Sequence, residues 1–239
     1  MRQNDKFYRM RKTQKKGKSS NVKFSKKYHN FGDTIRYLTL NELKQFFDCI
    51  DNYYHKLMFQ VIYELGCRVG EFVRIQIKHL NFSRSTVFFP AENTKTKYNR
   101  TSYLPKGLMN EIRSMLKQKQ IISKREGRVR KSEAYLFHPG KRWNRRYTEN
   151  RIRQIFQYYA KQAKLQTIYG SDVAGRNLKM FTVHSLRHSH VMHYIIDYKL
   201  PLPIVQKQVG HRSLKTTSIY LKPSTEKIAE AYEKAALED

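Results

Sequence analysis

The stretch VHSLRHSHVMHY, residues 183 to 194, places four histidines and one arginine in twelve positions. If the stretch is helical, His184 and Arg187 share one face. They also stand in the first turn, where free backbone N–H groups already favour an anion. Three further pieces carry chemistry-bearing side chains. ELGCRVGE, residues 64 to 71, sets Arg68 just after Gly66 and Glu71 one turn on. TKTK, residues 94 to 97, holds Lys95 and Lys97, and GHRSLKTTSIY, residues 210 to 220, sets Tyr220 nine residues after His211. Two guanidiniums suit work on a phosphodiester, whose transition state spreads negative charge over the non-bridging oxygens. Each is a planar, permanently charged fork, which lysine cannot reproduce, so Arg68 and Arg187 are read as a phosphate clamp.

Metal chemistry is not what these residues suggest. His184 and His188 have the i, i+4 spacing of a zinc pair but lack the HExxH glutamate, and Cys49 and Cys67, the only cysteines, form no CxxC. No acidic cluster offers a magnesium or calcium site. Neither a metal nor a cofactor is expected, with arginines standing where a nuclease would use magnesium.

These residues need a frame. TLNE at 39 to 42 is a capping-box signature that starts a helix with Leu43, Phe46, Phe47 and Ile50 inward. A second helix, YHKLMFQVIYEL, runs into Gly66, and VGEFVRIQI, residues 69 to 77, reads as a third. TVFF (86–89) and RTSYL (100–104) are short β-prone runs around a polar turn, which predicts a hairpin presenting Lys95. Helices follow at LMNEIRSMLKQKQ and after Thr148, where Ile152, Ile155, Phe156 and Tyr159 keep a helical stripe. Gly170 and Gly175 mark a loop, Thr182 caps the helix of the opening stretch, and Pro201 and Pro203 initiate PIVQKQVG. The expected fold is α+β, mainly helical, with one small antiparallel sheet. A last helix is expected at 225–237, with Ala229, Tyr232 and Ala236 on one stripe, docked on its own domain or on a neighbour.

Charge narrows the partner. The chain carries 48 Lys and Arg against 19 Asp and Glu, +29 in all. A surplus spread along the whole length attracts polyanions, because neutralising phosphates releases counterions. Residues 1–36 hold twelve basic side chains and two acids with no sustained period. They read as an arm that stays unfolded until something binds it. There is no apolar run near 18 residues and no signal-peptide pattern, so a soluble, cytoplasmic protein with no membrane partner is expected.

The Arg after a Gly-containing helix end, the hairpin lysine, HSLRH and GHRSLKTTSIY occur in an order that resembles the catalytic domain of the tyrosine recombinases, the phage-integrase and Xer-like family. The resemblance covers residues 37 to about 236. It implies the DNA breaking-rejoining fold over 37–239, with a metal-independent recombinase acting on double-stranded DNA as a homotetramer that assembles from solution monomers. It implies that Tyr220 attacks phosphorus to leave a 3′-phosphotyrosyl bond. His184 would accept the phenol proton, His211 would donate to a non-bridging oxygen, and Lys95 would protonate the departing 5′ oxygen. Glu71 would support Arg68, while Lys97, Arg142, Arg145 and Arg146 would meet phosphates outside the chemistry. Trp143 is read as a core or loop anchor. The separate helical domain that usually precedes this one is not expected within residues 1–36, and the arm is expected to fold or lie along DNA and replace part of it. Two rival readings share the fold: a type IB topoisomerase-like relaxing enzyme and a DNA-binding regulator that does not cut.

Overall fold

The computed structural model describes residues 36–119, 121, 131–140, 142–171, 175 and 177–211. Helix α1 (Leu40–Asp48) starts as its sequence requires, with the Glu42 N–H donating to Thr39 Oγ1 at 3.3 Å and the Thr39 N–H donating to the Glu42 carboxylate at 2.8 Å. Helix α2 (Tyr53–Leu65) is capped by Asn52, which accepts from the His55 N–H at 3.0 Å, and it closes on Gly66 at φ +54°. Such a left-handed terminus suits glycine because a Cβ would crowd the following carbonyl. Rings of Phe46, Phe59 and Phe156 meet at 4.9 to 5.8 Å and lock α1 and α2 to α5 (Glu149–Gln162). Truncating a buried ring of this kind costs about 3–5 kcal/mol. Helix α5 has the Thr148 cap expected of it, the hydroxyl accepting from the Arg151 N–H at 3.1 Å.

Where a third helix of nine residues was expected, α3 is only Val69–Phe72. Val73, Ile75 and Ile77 are buried while Arg74 and Gln76 between them are half-exposed, a period of two. The chain leaves α3 through turns, the Arg74 N–H donating to Glu71 O at 3.2 Å and the Ile75 N–H to Phe72 O at 3.1 Å. Only around Gln76 does it pair with residues 134–136: Ile75 O accepts from the Leu136 N–H at 2.8 Å and the Ile77 N–H donates to Ala134 O at 2.9 Å. A helical reading missed this because four apolar residues in seven fit both periods. The hairpin forms as predicted, β2 (Thr86–Phe89) against β3 (Arg100–Tyr103), and a short β1 (Leu80–Asn81) adds a third strand in the order β1-β2-β3. Helix α4 (Lys106–Gln118) follows directly.

The predicted loop at Gly170 and Gly175 is a second small sheet, β4 (Ile168–Ser171) against β5 (Asn177–Lys179), with a bulge between Ile168 and Gly170. Neither strand buries a face, so no alternation marks them, and backbone pairing alone defines them. Helix α6 (Val183–Met192) crosses both α2 and α5 and widens into a π-turn at His193–Asp197. Helix α7 (Leu202–Val209) starts at Pro201 and closes on Gly210 at φ +71°. It docks on β3 through Gln208, whose side-chain amide accepts from the Tyr103 N–H at 2.9 Å and donates to Tyr103 O at 2.7 Å. That amide acts as one more strand residue on the sheet edge.

The chain leading into α1 is tied to α6. The Leu38 N–H donates to Ser189 Oγ at 2.8 Å, and His193 spans Tyr63 Oη and Leu38 O, each at 2.9 Å. Because a carbonyl only accepts, His193 carries its proton on Nε2 and its Nδ1 accepts from the tyrosine. Arg36, the last residue of the expected arm, already stacks over Tyr169 of β4 at 3.5 Å. Among the described residues no helix is long and apolar enough to cross a membrane.

Candidate active site

Four elements end at one place. Arg68 is the N-cap of α3, set there by the reversal at Gly66. Its backbone N–H donates to Glu71 Oε2 at 2.9 Å and its guanidinium pairs with Glu71 Oε1 at 3.2 Å. Arg68 keeps 26% of its side chain exposed while Glu71 keeps 2%, so the carboxylate is buried and the guanidinium reaches the cavity. The sequence reading expected an ion pair or hydrogen bond between these two residues, and both contacts are present. Burial alone would raise its carboxyl, but Arg100, then the Arg68 backbone N–H and Arg187, outweigh that and hold it below the ordinary glutamate range.

The hairpin turn is braced from within. Thr94 is buried and its hydroxyl accepts from the Tyr98 N–H at 3.2 Å, while Asn99 accepts from the Ala91 N–H at 2.7 Å. Lys95 and Lys97 leave this turn exposed, Lys97 from a left-handed backbone at φ +57°. Both border the same cavity as Arg68.

On α6, the Thr182 N–H donates to Ser185 Oγ at 3.1 Å and closes the first turn. His184 turns an exposed face to the cavity, and its ring stands edge-on to His188 at 4.6 Å. The protein packed around it, then His188, Arg187 and Arg68, push its imidazole down to about 3. His188 is pushed down to about 4 by burial and Arg187. Arg187 is 1% exposed and donates from Nη1 to Gly66 O at 2.6 Å and Val209 O at 2.8 Å. It thereby joins the glycine-closed ends of α2 and α7 and fixes where Arg68 and His211 emerge. His211, buried just past Gly210, is pushed down to about 3 by burial, Arg187 and Arg68.

A cavity of about 730 Å³ is lined by Arg68, Glu71, Lys95, Lys97 and His184, and continues past Gly70 to Arg74, Glu149 and Arg153. Side chains 116 residues apart in sequence thus share one wall, and most of their charge is positive. Arg187 and His211 lie outside that lining; Arg187 bears on it through its charge, which lowers His184, and through the Gly66 and Val209 carbonyls it holds. Arg142, Arg145 and Arg146 are exposed on the turn before α5, also outside the lining. Trp143 is half-buried against the core, as expected. Tyr220 and the predicted helix at 225–237 lie outside the described residues, as do 1–35 of the arm.

Sequence reasoning overlooked Arg100. Its guanidinium donates to Glu71 Oε2 at 2.9 Å and lies 3.9 Å over the Phe89 ring. Nothing in the linear spacing joins it to Glu71, 29 positions earlier. Only its pairing opposite Phe89 in the hairpin puts it there.

Residues 36–227 match the Phage integrase family, and the chain belongs to that family. It is 30% identical over 202 residues to the tyrosine recombinase XerA of Pyrococcus horikoshii, covering 84% of this chain and 61% of that one. It is 27% identical over 203 residues to XerA of Pyrococcus furiosus, covering 84% and 62%. The chain thus spans about three-fifths of the length of these relatives. Among solved structures, a XerA recombinase superposes with a TM-score of 0.61 at 20% identity, over 83% of this chain and 63% of that one. XerH recombinase in a post-cleavage complex with a palindromic difH substrate superposes at 0.60 and 19%, over 84% and 54%. A lambda integrase tetramer on a Holliday junction gives 0.52 and 16%, over 74% and 47%. At these identities the likeness is one of fold.

Proposed function

We propose that this chain is a site-specific DNA recombinase that cuts and rejoins double-stranded DNA through a 3′-phosphotyrosyl bond to Tyr220. The observation that carries the reading is the cavity shared by Arg68, Lys95, Lys97 and His184, with the Arg187 charge behind it. In this reading the scissile phosphate enters between the exposed guanidinium of Arg68 and the first turn of α6. Arg68 meets two non-bridging oxygens as a fork, and the buried Glu71 keeps that fork from swinging. Arg187 adds a second fixed positive charge. His184 and His211 are neutral before DNA arrives, so His211 can donate an N–H to the phosphate and His184 can accept the phenol proton. A phosphodiester between them brings negative charge that raises the basicity of His184 when it is needed.

Tyr220 Oη then bonds to phosphorus, the bond from phosphorus to the 5′ oxygen breaks, and Lys95 protonates that oxygen. One ester replaces another, so a second 5′ hydroxyl can reverse the step without an external energy source. Residues 37–239 form the catalytic domain in this proposal, and 1–36 lie along the duplex as a basic arm. Strand exchange between two duplexes needs four such sites, hence a homotetramer on DNA that assembles from monomers. The work is cytoplasmic and requires no cofactor.

The test is a pool of randomised duplexes carrying a nick that traps the covalent state, with protein-linked DNA recovered under denaturing conditions and sequenced. A recombinase enriches a paired, inverted motif. Linkage without sequence preference, together with relaxation of any supercoiled plasmid, would instead mark a topoisomerase-like activity, and no linkage at all a binding protein.

A further inference from the structure

Arg100 touches three of the elements that carry the proposed chemistry. It opens β3, the strand returning from the Lys95 turn, and its side chain is only 11% exposed. From there its Nη2 reaches Glu71 Oε2 at 2.9 Å, on the oxygen that also takes the Arg68 backbone N–H. Its stem lies under Gly210, the residue before His211. A Cβ on Gly210 would stand 2.6 Å from Arg100 Cδ and 2.8 Å from Nε, so the glycine leaves the space the arginine occupies. The guanidinium rests on the Phe89 ring at 3.9 Å, and its Nε is buried with no hydrogen-bond partner among the described residues. A desolvated cation in such a setting persists only when a carboxylate compensates it. Glu71 is that carboxylate, and it is shared with Arg68.

We propose that Arg100 is a positioning residue for the cleavage reaction: through Glu71 it fixes the direction of the Arg68 fork, and through Phe89 and Gly210 it registers the lysine hairpin and His211 against that fork. The proposal rests on the recombinase reading for its catalytic consequence, but its core is a physical coupling that can be seen without DNA. Arg100 itself touches no reacting atom. If the hairpin shifts, the Glu71 carboxylate loses its second cation and Arg68 is no longer held from one side. The geometry thus links the position of the hairpin lysine to the readiness of the clamp.

Two measurements test it, on the full chain with Arg100→Met, Arg100→Lys, Glu71→Gln and the Met/Gln double variant. The first follows the Glu71 side-chain carboxyl carbon by NMR as pH falls. Glu71 is faced by Arg68 and Cys67 beside it, by Arg100 from β3 and by Arg187 from α6; removing Arg100 takes away the largest lowering influence. The titration should move to higher pH in Arg100→Met and return most of the way in Arg100→Lys, and an unmoved titration in a folded Arg100→Met protein overturns the proposal. The second is single-turnover linkage to the duplex selected by the wild-type protein. Arg100→Met should slow it by roughly ten- to a hundred-fold, the range for losing a charged hydrogen bond. Because Arg100 acts through Glu71, the double variant should be no slower than the slower single one. Multiplied losses would mean that Arg100 acts independently of Glu71 and would overturn the proposal. Absence of linkage in the wild-type protein would overturn the recombinase reading instead, and the carboxyl titration would still decide the role of Arg100.

Discussion

The Arg187 guanidinium donates to the carbonyl of Gly66 at 2.6 Å, bridging residues 121 positions apart. It can do so because Gly66 turns its backbone left-handed at φ +54°, with Val209 and His190 closed over the place where a side chain would be. A Cβ there would stand 2.6 Å from Val209 Cγ1 and 2.9 Å from His190 Cδ2. Gly66→Ala therefore combines backbone strain with overpacking and should destabilise the protein by about 2–4 kcal/mol. Urea unfolding measures this, and a loss under about 1 kcal/mol would show that the α2–α6–α7 junction yields easily.

Acid should weaken the fold through its buried neutral histidines. His190 and His211 are both pushed down to about 3, burial being the first cause and Arg187 the second. In the unfolded chain each returns to about 6.5. Their contribution is complete above about pH 6.5 and is lost as pH falls from there towards 3, because the unfolded chain binds protons that the folded one does not. The slope approaches about 1.4 kcal/mol per pH unit for each such histidine. Urea midpoints between about pH 7.5 and 5.0 should fall, and less so in His190→Leu; a flat profile would contradict burial of neutral imidazole.

Lys95 and Lys97 share the cavity wall, and chemistry can separate them. If Lys95 protonates the departing 5′ oxygen, Lys95→Ala should slow cleavage by about a hundred-fold or more. A duplex with sulfur in place of that oxygen should restore the rate, since a thiolate leaves without a proton. Lys97→Ala should lose less and gain nothing from sulfur. The reverse pattern would transfer the acid role to Lys97.

Residues 2–30 carry eleven Lys and Arg. If the arm lies along DNA, deleting this stretch should weaken binding and flatten the dependence of log affinity on log salt, by about 0.9 for each phosphate that the arm no longer neutralises. An unchanged salt slope in a fluorescence titration would remove the arm from the interface.

The parts of this molecule that were legible in the sequence are those written in local physics. Thr39 with Glu42, Thr148 and the α5 stripe announce their helices because capping and period are short-range properties. Glycine at 66 marks a helix end for the same reason. The order of motifs that resembles a family joined Arg68, Lys95 and His184, and all three line the cavity. Residues 73–77 misled because Val69, Phe72 and Val73 keep helical spacing, whereas the turns that follow and the pairing of Ile75 and Ile77 with residues 134–136 are set by tertiary contact. The β4–β5 hairpin left no trace because it buries no face. Arg100 was invisible because its meaning lies in a cross-strand partner and a carboxylate on another element. Of the four clustered histidines, His184 alone lines the cavity, His190 and His193 are buried with defined neighbours, and half-buried His188 stands edge-on to His184.

The most direct measurement of the central claim maps the covalent bond. Protein incubated with its selected nicked duplex, digested and sequenced by mass spectrometry, should yield one DNA-linked peptide, with the 3′ phosphate on Tyr220. Tyr220→Phe should abolish that linkage while binding the duplex as before. A linked peptide that excludes residue 220, or an adduct that survives the phenylalanine substitution, would contradict the account.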